Sequence, residues 1–405
     1  MTVDIRPGKA SGTVIAPPSK SVAHRLFICA GLAEGQSVVR NVAFSEDILA
    51  TLDVLKAMGA KAEISGDAVT ITGCDARRAR YPGRISCRES GSTLRFFVPL
   101  LALSGSPFLL TGQGRLMERP QTVYETLFNE QGLVFRLEGD TLRVQGPLSS
   151  GHYTLRGDIS SQFFTGLLLA LPLLNAPSRI TLLPPVESRS YIDLTLDALR
   201  QFGVTAQWAS ETELYIPGKQ RYQRQYTAVE GDWSNAAFFE ALAAMGDNVS
   251  VEGVSDGSIQ GDRVCRNYLR QMRDALVTLD VSDCPDLAPI LMAAGAAMRG
   301  VVLTGTRRLS IKESDRGAAM AEELGKLGCQ CKLEENRITV FPGIRTPILP
   351  WDGHNDHRIV MAGAVLLTRV GGTITGAEAV RKSFPDFFDR LRGLGIEVNE
   401  HAAGI

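Results

Sequence analysis

Apolar and polar positions follow two periods along this chain, and the two periods recur in a fixed order. In ILATLDVLKAMGAKAEISGDAVTITG (residues 48–73), apolar residues first repeat at helical spacing and then alternate singly. This pattern predicts an amphipathic helix that stops at Gly59, followed by two strands joined by a tight turn at Gly66 and Asp67. Glycine suits both the helix end and the turn, because each needs a left-handed backbone.

The same unit recurs along the chain. It is clear in residues 123–146, 191–218, 318–343 and 384–400. The glycines that would end the helices are Gly59, Gly132, Gly203, Gly328 and Gly395, and they lie 67–73 residues apart except for one gap of 125. A degraded copy in residues 264–280 would fill that gap. The spacing therefore predicts about six copies, three in each half of the chain.

Long apolar helices lie between these units, and they change the picture from a simple repeat to two cores. Residues 160–174 and 286–300 are apolar on nearly every helical face, so we expect interior helices with the sheets outside them. A chain of 405 residues is also too long for one ordinary core. We predict an α/β fold with a first lobe of residues 18–229 and a second lobe of residues 1–17 and 230–405. The hinge would lie near 16–19 and 228–234.

Composition excludes several classes of protein. The chain has 43 Lys and Arg against 44 Asp and Glu, a net charge of −1, so it has no basic excess for nucleic acid or a membrane surface. No apolar stretch is long enough to predict a membrane span, and the N-terminal residues lack an apolar targeting core. The seven scattered cysteines, an odd number, indicate reduced thiols and a cytoplasmic protein.

The candidate chemistry lies in polar clusters just before apolar helices. In PPSKSVAHR (17–25), cations stand at the start of a helix, where the backbone already carries positive partial charge. A bound anion, held by free N–H groups and side chains together, would balance them. The cations of such clusters are Lys20, Arg25, Arg95, Arg115, Arg119, Lys312, Arg316, Arg358 and Lys382. Cations placed this way in a nearly neutral chain predict small polyanionic ligands.

Each cluster also has a structural interpretation that stays open at this point. Ser160 and Ser161 are good helix N-caps, and Asp286 after a proline is typical of a helix start. The segment KESDR (312–316) could be a solvated helix face. His354 and His357 could bind a metal, but the spacing offers no obvious third ligand, so we expect none.

The order of the clusters resembles that of the 5-enolpyruvylshikimate-3-phosphate synthase family over nearly the whole chain. The matching segments are PPSKSVAHR, SGSTLR, RLMERP, SSQF, SYIDLTL, CPD, KESDR, NDHR and KSFPDFF. The resemblance implies two lobes, each of three βαβαββ units, called an inside-out α/β barrel. It also implies transfer of the enolpyruvyl group of phosphoenolpyruvate to the 5-hydroxyl of shikimate 3-phosphate, in chorismate and aromatic amino acid biosynthesis. No cofactor or metal would be needed, a monomer is expected, and the resemblance implies that the phosphoenolpyruvate site is the target of the family's inhibitor glyphosate.

The resemblance also implies residue roles. Asp286, Glu313 and Lys20 would be catalytic. The shikimate 3-phosphate contacts would be Lys20, Ser21, Arg25, Ser160, Ser161, Gln162, Ser188, Asp286 and Lys312. The phosphoenolpyruvate contacts would be Lys20, Gly91, Arg119, Gln162, Arg316, Arg358 and Lys382.

This chain departs from the family pattern in places, and two other functions deserve comparison. Glu89 and Ser90 precede the glycine of the SGSTLR loop, and Arg308 and His24 stand where other members often have Asn. A sister enzyme transfers enolpyruvyl to UDP-N-acetylglucosamine, but it usually has Lys-Asn at the first cluster and a Cys in the loop equivalent to 112–120. Here the first cluster is Lys20-Ser21 and that loop has no Cys. A non-catalytic anion-binding protein would not need two acids among its cations.

Overall fold

A computed structural model describes residues 1–81 and 83–401 of the chain. The backbone divides into two compact units, one of Pro18–Glu230 and one of Met1–Pro17 with the chain from Gly231 onward. Residues 402–405 of the predicted second lobe lie outside the described residues. Within the described part, no helix combines the length and apolar character needed to cross a bilayer.

Short strands separate the helices along the whole chain. The strands are β1 (Thr2–Ile5), β2 (Ser11–Ile15), β3 (Gln36–Arg40), β4 (Lys61–Ser65), β5 (Ala68–Thr72), β6 (Arg84–Ser86), β7 (Phe108–Thr111), β8 (Val134–Glu138), β9 (Thr141–Gln145), β10 (His152–Arg156), β11 (Ser178–Leu183), β12 (Gln207–Ser210), β13 (Glu213–Ile216), β14 (Tyr226–Ala228), β15 (Asn248–Glu252), β16 (Thr278–Asp280), β17 (Val301–Thr304), β18 (Cys331–Glu334), β19 (Arg337–Val340), β20 (Trp351–Asp352), β21 (Gly372–Thr375) and β22 (Val398–His401).

The helices are α1 (Lys20–Leu32), α2 (Glu46–Met58), α3 (Gly91–Leu101), α4 (Thr122–Glu130), α5 (Ser161–Ala170), α6 (Arg189–Gln201), α7 (Trp233–Ala244), α8 (Cys265–Met272), α9 (Ala288–Ala297), α10 (Arg316–Lys326), α11 (His357–Val370) and α12 (Phe387–Gly393). The five glycines predicted to end helices all have positive φ, as does Gly66 in the predicted turn.

The unit Pro18–Glu230 contains three copies of one βαβαββ pattern. Its sheets have the orders β14-β3-β5-β4, β6-β7-β9-β8 and β10-β11-β13-β12. In each sheet the first two strands are parallel, and a hairpin adds two antiparallel strands. A parallel pair needs a crossover connection, which α3 provides between β6 and β7 and α5 between β10 and β11, whereas a hairpin needs only a tight turn. In the remaining sheet, β14 from the far end of the unit pairs with β3, which follows α1. The repeats predicted in this half are confirmed.

The other unit contains one complete copy and two altered ones. The sheet β16-β17-β19-β18 has the same order as the sheets above. In the sheet β20-β21-β1-β22, strand β1 comes from the N-terminus of the chain. The third sheet has only β2 and β15, because α8 leads directly into β16 without a hairpin. The degraded copy predicted in residues 264–280 therefore consists of α8 followed by β16, which already belongs to the next sheet, and it lacks the hairpin of the other copies.

The crossover helices form the centre of each unit. Helices α5 and α9 are buried on almost all residues, as the pattern predicted, and separate apolar clusters fill the two units. The polar clusters found in the sequence lie at the N-terminal ends of these helices. A buried helix that starts at a sheet edge presents its free N–H groups together with its first side chains, so the fold itself places the candidate site.

Candidate active site

In the unit Pro18–Glu230, Lys20 is the first residue of α1 and pairs with a carboxylate from the next helix. Its Nζ lies 2.7 Å from Oδ2 of Asp47 in the first turn of α2, and both side chains are largely buried. An acid is well placed at a helix N-terminus, where it also offsets the charge of Lys20. Sequence analysis missed Asp47, although an acid in the first turn of an apolar helix could have been recognised as a candidate site residue.

Arg25 lies one turn further along α1 and is held by neutral acceptors. Its guanidinium donates to the hydroxyls of Thr195 (2.9 Å) and Thr165 (3.2 Å) and to the carbonyls of Ser21 (2.7 Å) and Tyr191 (2.9 Å). Burial lowers the pKa of Arg25 to about 10, so the group remains charged at neutral pH. A buried cation without a carboxylate is costly, and an anionic ligand would offset that cost.

Arg95 shows the same arrangement on α3. It donates to Oε1 of Gln162 (2.8 Å) and to the carbonyl of Pro120 (2.9 Å), and it stacks over Phe163. Burial, with the nearby charge of Arg119, holds the pKa of Arg95 well below its usual range. The amide of Gln162 is therefore fixed at both ends, because its oxygen accepts from Arg95 and its nitrogen donates to Ser92 (3.0 Å).

The predicted serine contacts take structural positions as well. Ser160 caps α5 by accepting from the amide of Gln162 at 3.3 Å, so the N-cap interpretation of this residue is confirmed. Ser161 is the first residue of α5 and is mostly buried. Ser188, just before α6, has φ of 54° and is 2% exposed. A left-handed, buried serine is strained, and such strain is often found at functional sites.

Gly91 begins α3 and lies against Arg119. A Cβ built on Gly91 would come within 2.5 Å of Nη1 of Arg119, and the backbone of Gly91 does not have positive φ. Glycine is thus needed at this position for close approach and not for its backbone angle. The predicted cation Arg115, by contrast, is exposed and pairs with Glu118 three residues later.

In the second unit, Asp286 is the centre of a charged cluster. Its Oδ1 accepts from Arg316 (2.8 Å) and Lys312 (3.3 Å), and its Oδ2 accepts from Arg358 (3.1 Å). Burial alone would raise the pKa of Asp286, but Arg358, Lys312 and Arg316 outweigh it and hold the pKa well below the usual value. Asp286 is therefore an ionised acceptor at neutral pH and not merely a helix-start residue.

Arg316 begins α10 and bridges Asp286 to a second carboxylate. Its Nε lies 2.8 Å from Oδ2 of Asp356, which is fully buried and caps α11 through the amide of Arg358. Burial lowers the pKa of Arg316, but the charges of Asp356 and Asp286 raise it by more than burial lowers it, so the net shift is upward. The 312–316 segment is thus part of a buried network, and its interpretation as a solvated face is wrong.

Glu313 contacts a histidine that sequence analysis considered only as a metal ligand. Its Oε2 lies 3.0 Å from Nδ1 of His357, the first residue of α11, and its Oε1 lies 3.9 Å from Arg316. Glu313 is partly accessible, with 18% of its side chain exposed. A carboxylate next to an imidazole can hold or release a proton.

Lys382 completes the cluster at the end of a short 3-10 helix (Ala377–Lys382). Its Nζ donates to the carbonyl of Asn355 at 2.6 Å, in the loop that precedes α11. That loop therefore contacts Lys382, while Asp356 and Arg358 beside it contact the rest of the cluster. Ser234, which donates to Asp232 and accepts from Arg358, was also missed by sequence analysis.

Each histidine of the GHNDHR segment does have two acidic neighbours. Ligand atoms of Glu313, Asp356 and His357 lie within 4.8 Å of one another, and so do those of Glu322, Glu323 and His354. The sequence spacing did not reveal these neighbours, because the acids other than Asp356 lie far from the histidines along the chain. A cation lies beside each group, since Arg316 pairs with Asp356 and Lys326 pairs with Glu323. The positive charge of each cation disfavours a metal ion at the same carboxylate.

Comparison with known proteins is consistent with this geometry. The family model for EPSP synthase (3-phosphoshikimate 1-carboxyvinyltransferase) matches residues 5–391. This chain belongs to the EPSP synthase family.

Individual members of the family match over their full length. The chain is 39% identical to the 3-phosphoshikimate 1-carboxyvinyltransferase of Clostridium kluyveri, covering 99% of each chain. It is 37% identical to that of Clostridium perfringens, covering 97% of this chain and 98% of the relative. A solved structure of EPSP synthase from Acinetobacter baumannii superimposes with a TM-score of 0.80 at 26% identity, covering 98% of this chain and all of that one. The two-lobed α/β fold predicted from the sequence is confirmed.

Proposed function

We propose that this EPSP synthase family member transfers the enolpyruvyl group of phosphoenolpyruvate to the 5-hydroxyl of shikimate 3-phosphate and releases inorganic phosphate. The observation that carries the proposal is the position of Asp286 and Glu313 within a buried set of cations. A protein that only binds polyanions gains nothing from carboxylates there, since they oppose the ligand charge. Addition to an enol ether, in contrast, needs one group that accepts a proton and one that donates it.

The residue types match the steps of an addition and elimination. Asp286 would accept the proton of the attacking 5-hydroxyl, and Glu313, next to His357, would deliver a proton to the methylene carbon. The 5-oxygen bonds to the carbon of phosphoenolpyruvate that carries the phosphate ester, which gives a tetrahedral intermediate. Loss of phosphate from that intermediate and return of the proton from the methyl group restore the enolpyruvyl double bond. Arg316, Arg358 and Lys382 would stabilise the negative charge of the departing phosphate.

The unit Pro18–Glu230 contains most of the residues that the proposal assigns to shikimate 3-phosphate. Arg25 is buried without a carboxylate partner in the part of the chain that the structure describes, and Ser21, Ser160, Ser161 and Ser188 lie at helix starts. These groups suit a phosphate ester, which accepts hydrogen bonds from N–H and O–H donors. Arg119 and Gly91 would contact phosphoenolpyruvate.

The decisive experiment compares two acceptors. Phosphate release from phosphoenolpyruvate is measured with purified protein and either shikimate 3-phosphate or UDP-N-acetylglucosamine. We expect release with shikimate 3-phosphate and none above background with UDP-N-acetylglucosamine. Release with only the latter would assign the sister activity, and binding of both polyanions without release would leave a binding protein. The variant Asp286→Asn serves as the control for contaminating phosphatase.

A further inference from the structure

The loop between β20 and α11 has an unusual backbone at two successive positions. His354 and Asn355 have φ of 47° and 50°, and neither is glycine. A left-handed conformation is unfavourable for most residues, and two in a row need contacts that hold them. Residues 353–356 are called the αL loop below.

The strongest such contact is a hydrogen bond from the ring of His354 to helix α10. Its Nε2 lies 2.8 Å from Oε1 of Glu323, whose side chain is fully buried. Glu323 also accepts from the amide of Asp352 at 2.9 Å and from Nζ of Lys326 at 2.8 Å. Asp352 in turn accepts from the amide of His354 at 2.7 Å. Glu323 is thus a buried anchor with donors on several sides, and His354 is the side chain that ties the αL loop to it.

The groups that the αL loop presents are those of the candidate site. The carbonyl of Asn355 accepts from Lys382 at 2.6 Å, and Asp356 holds Arg316 and caps α11 by accepting from the amide of Arg358. A shift of the loop by a fraction of an ångström would move these partners together. The fold itself would lose little, because His354 is partly exposed while the apolar core lies beneath α11.

We infer that His354 is a positioning residue for phosphoenolpyruvate: its bond to Glu323 fixes the αL loop, and the loop fixes Lys382 and Arg358. This inference rests on the proposed function, which assigns these two cations to phosphoenolpyruvate. An imidazole ring with a hydrogen on Nε2 donates to the carboxylate of Glu323. A metal ion would have to displace the ammonium of Lys326 from Glu323, which favours the hydrogen-bonded anchor over a metal site.

Two substitutions at the same position separate anchoring from bulk. His354→Gln keeps a side-chain N–H donor, whereas His354→Leu removes it, and neither new side chain is branched at Cβ, so both meet similar strain at positive φ. We expect His354→Leu to raise the KM for phosphoenolpyruvate about tenfold, as for loss of a hydrogen bond to a charged group, and to leave the KM for shikimate 3-phosphate within about twofold. His354→Gln should stay within about threefold of the parent in both constants. The matched control is His401→Leu, which removes an exposed histidine bonded to Asp4 at 2.9 Å in the same unit.

Hydrogen exchange measured by mass spectrometry provides a readout that does not depend on activity. Amides of residues 353–358 should exchange faster in His354→Leu than in the parent, with recovery in His354→Gln and no change in His401→Leu. If the parent protein released no phosphate but residues 353–358 still exchanged faster in His354→Leu, the proposed function would be refuted and the anchor would stand. Equal exchange and equal KM values in the Leu and Gln variants would overturn the inference, and so would an equal rise of both KM values in His354→Leu.

Discussion

Buried arginines that line the candidate site are held in opposite ways in the two units. Arg25 and Arg95, in the unit Pro18–Glu230, donate to hydroxyl, carbonyl and amide oxygens, and burial lowers the pKa of each. Arg316, in the other unit, faces Asp286 and Asp356, and its pKa is raised. The first arrangement leaves positive charge for a ligand to neutralise, whereas the second balances most of its charge internally. The cations of the unit Pro18–Glu230 therefore suit phosphate binding, and the cluster of the other unit suits proton transfer.

The largest effect should come from removing a cation that has buried carboxylate partners. Arg316→Met leaves the buried Asp356 without its main counter-charge and takes one of three cations from Asp286, and breaking a buried pair in this way costs about 3–5 kcal/mol. Arg25→Met leaves no unpaired charge, since Thr165 and Thr195 also bond each other at 2.9 Å. Denaturant unfolding followed by amide exchange in each unit should show a large loss of stability for Arg316→Met and less than about 1.5 kcal/mol for Arg25→Met. Similar losses in the two variants would remove the distinction between the units.

Catalysis should depend on the acids of the balanced cluster. We expect Asp286→Asn and Glu313→Gln each to lower kcat by about 10²-fold or more, because each removes a group that moves a proton in the transition state. The proteins should remain folded and still bind shikimate 3-phosphate, as measured by calorimetry. Glu335→Gln is the control, since Glu335 is an exposed acid in the same unit that pairs with Arg307. Turnover within a few-fold of the parent would refute the role of the acid concerned.

Acid should weaken the two units over different pH ranges. Burial, together with Lys20 and Arg25, holds the pKa of His24 well below its ordinary value of 6.5, so His24 is neutral in the fold and protonates first in the unfolded chain. The stability that it contributes is therefore full above pH 6.5 and is lost as pH falls, by about 1.4 kcal/mol per pH unit. Asp286 and Asp356 have lowered pKa values, so their contribution is lost only as pH falls below about 4.

His24→Asn tests this difference directly. His24 bonds Thr51 through Nδ1 at 2.7 Å, which an amide can replace, and its Nε2 has no hydrogen-bond partner among the described residues. The variant should lose less stability than the parent between pH 6.5 and pH 5 in the unit Pro18–Glu230, with His152→Asn, at an exposed histidine, as the control. Parallel pH profiles for parent and His24→Asn would show that another group controls acid stability.

The smallest predicted effect concerns Gly91 and reports on a single cation. A Cβ at residue 91 would push aside the flexible end of Arg119, so Gly91→Ala should raise the KM for phosphoenolpyruvate by about threefold to tenfold and barely change the KM for shikimate 3-phosphate. Glyphosate, a longer occupant of the same site in this family, should lose more affinity than phosphoenolpyruvate. The melting temperature should stay nearly constant, because Gly91 does not have positive φ. Equal losses for inhibitor and substrate would refute a steric effect on the ligand.

Local sequence patterns were sufficient for the repeat and for most of the candidate site. The Gly59 helix end and the Gly66 turn are local backbone requirements, so their residues could be recognised one unit at a time. The copy at 264–280 could be recognised as degraded, but not the loss of its hairpin, because a helix followed by a strand looks the same whether that strand belongs to a hairpin or to the next sheet. The N-terminal strand β1 completes a sheet with β21 and β22, and pairing over such a distance leaves no local pattern.

By itself, the sequence determined which side chains stand at which helix starts, and their order was specific enough to identify the family. Only the tertiary structure decided which of those charges meet. Asp47 reaches Lys20, and Asp356 reaches Arg316, across 27 and 40 residues of chain. Glu323 reaches His354 across 31 residues. Charge pairing depends on distance and burial, and these follow from how whole helices pack on one another, whereas caps, turns and periodicity follow from neighbours within a few residues.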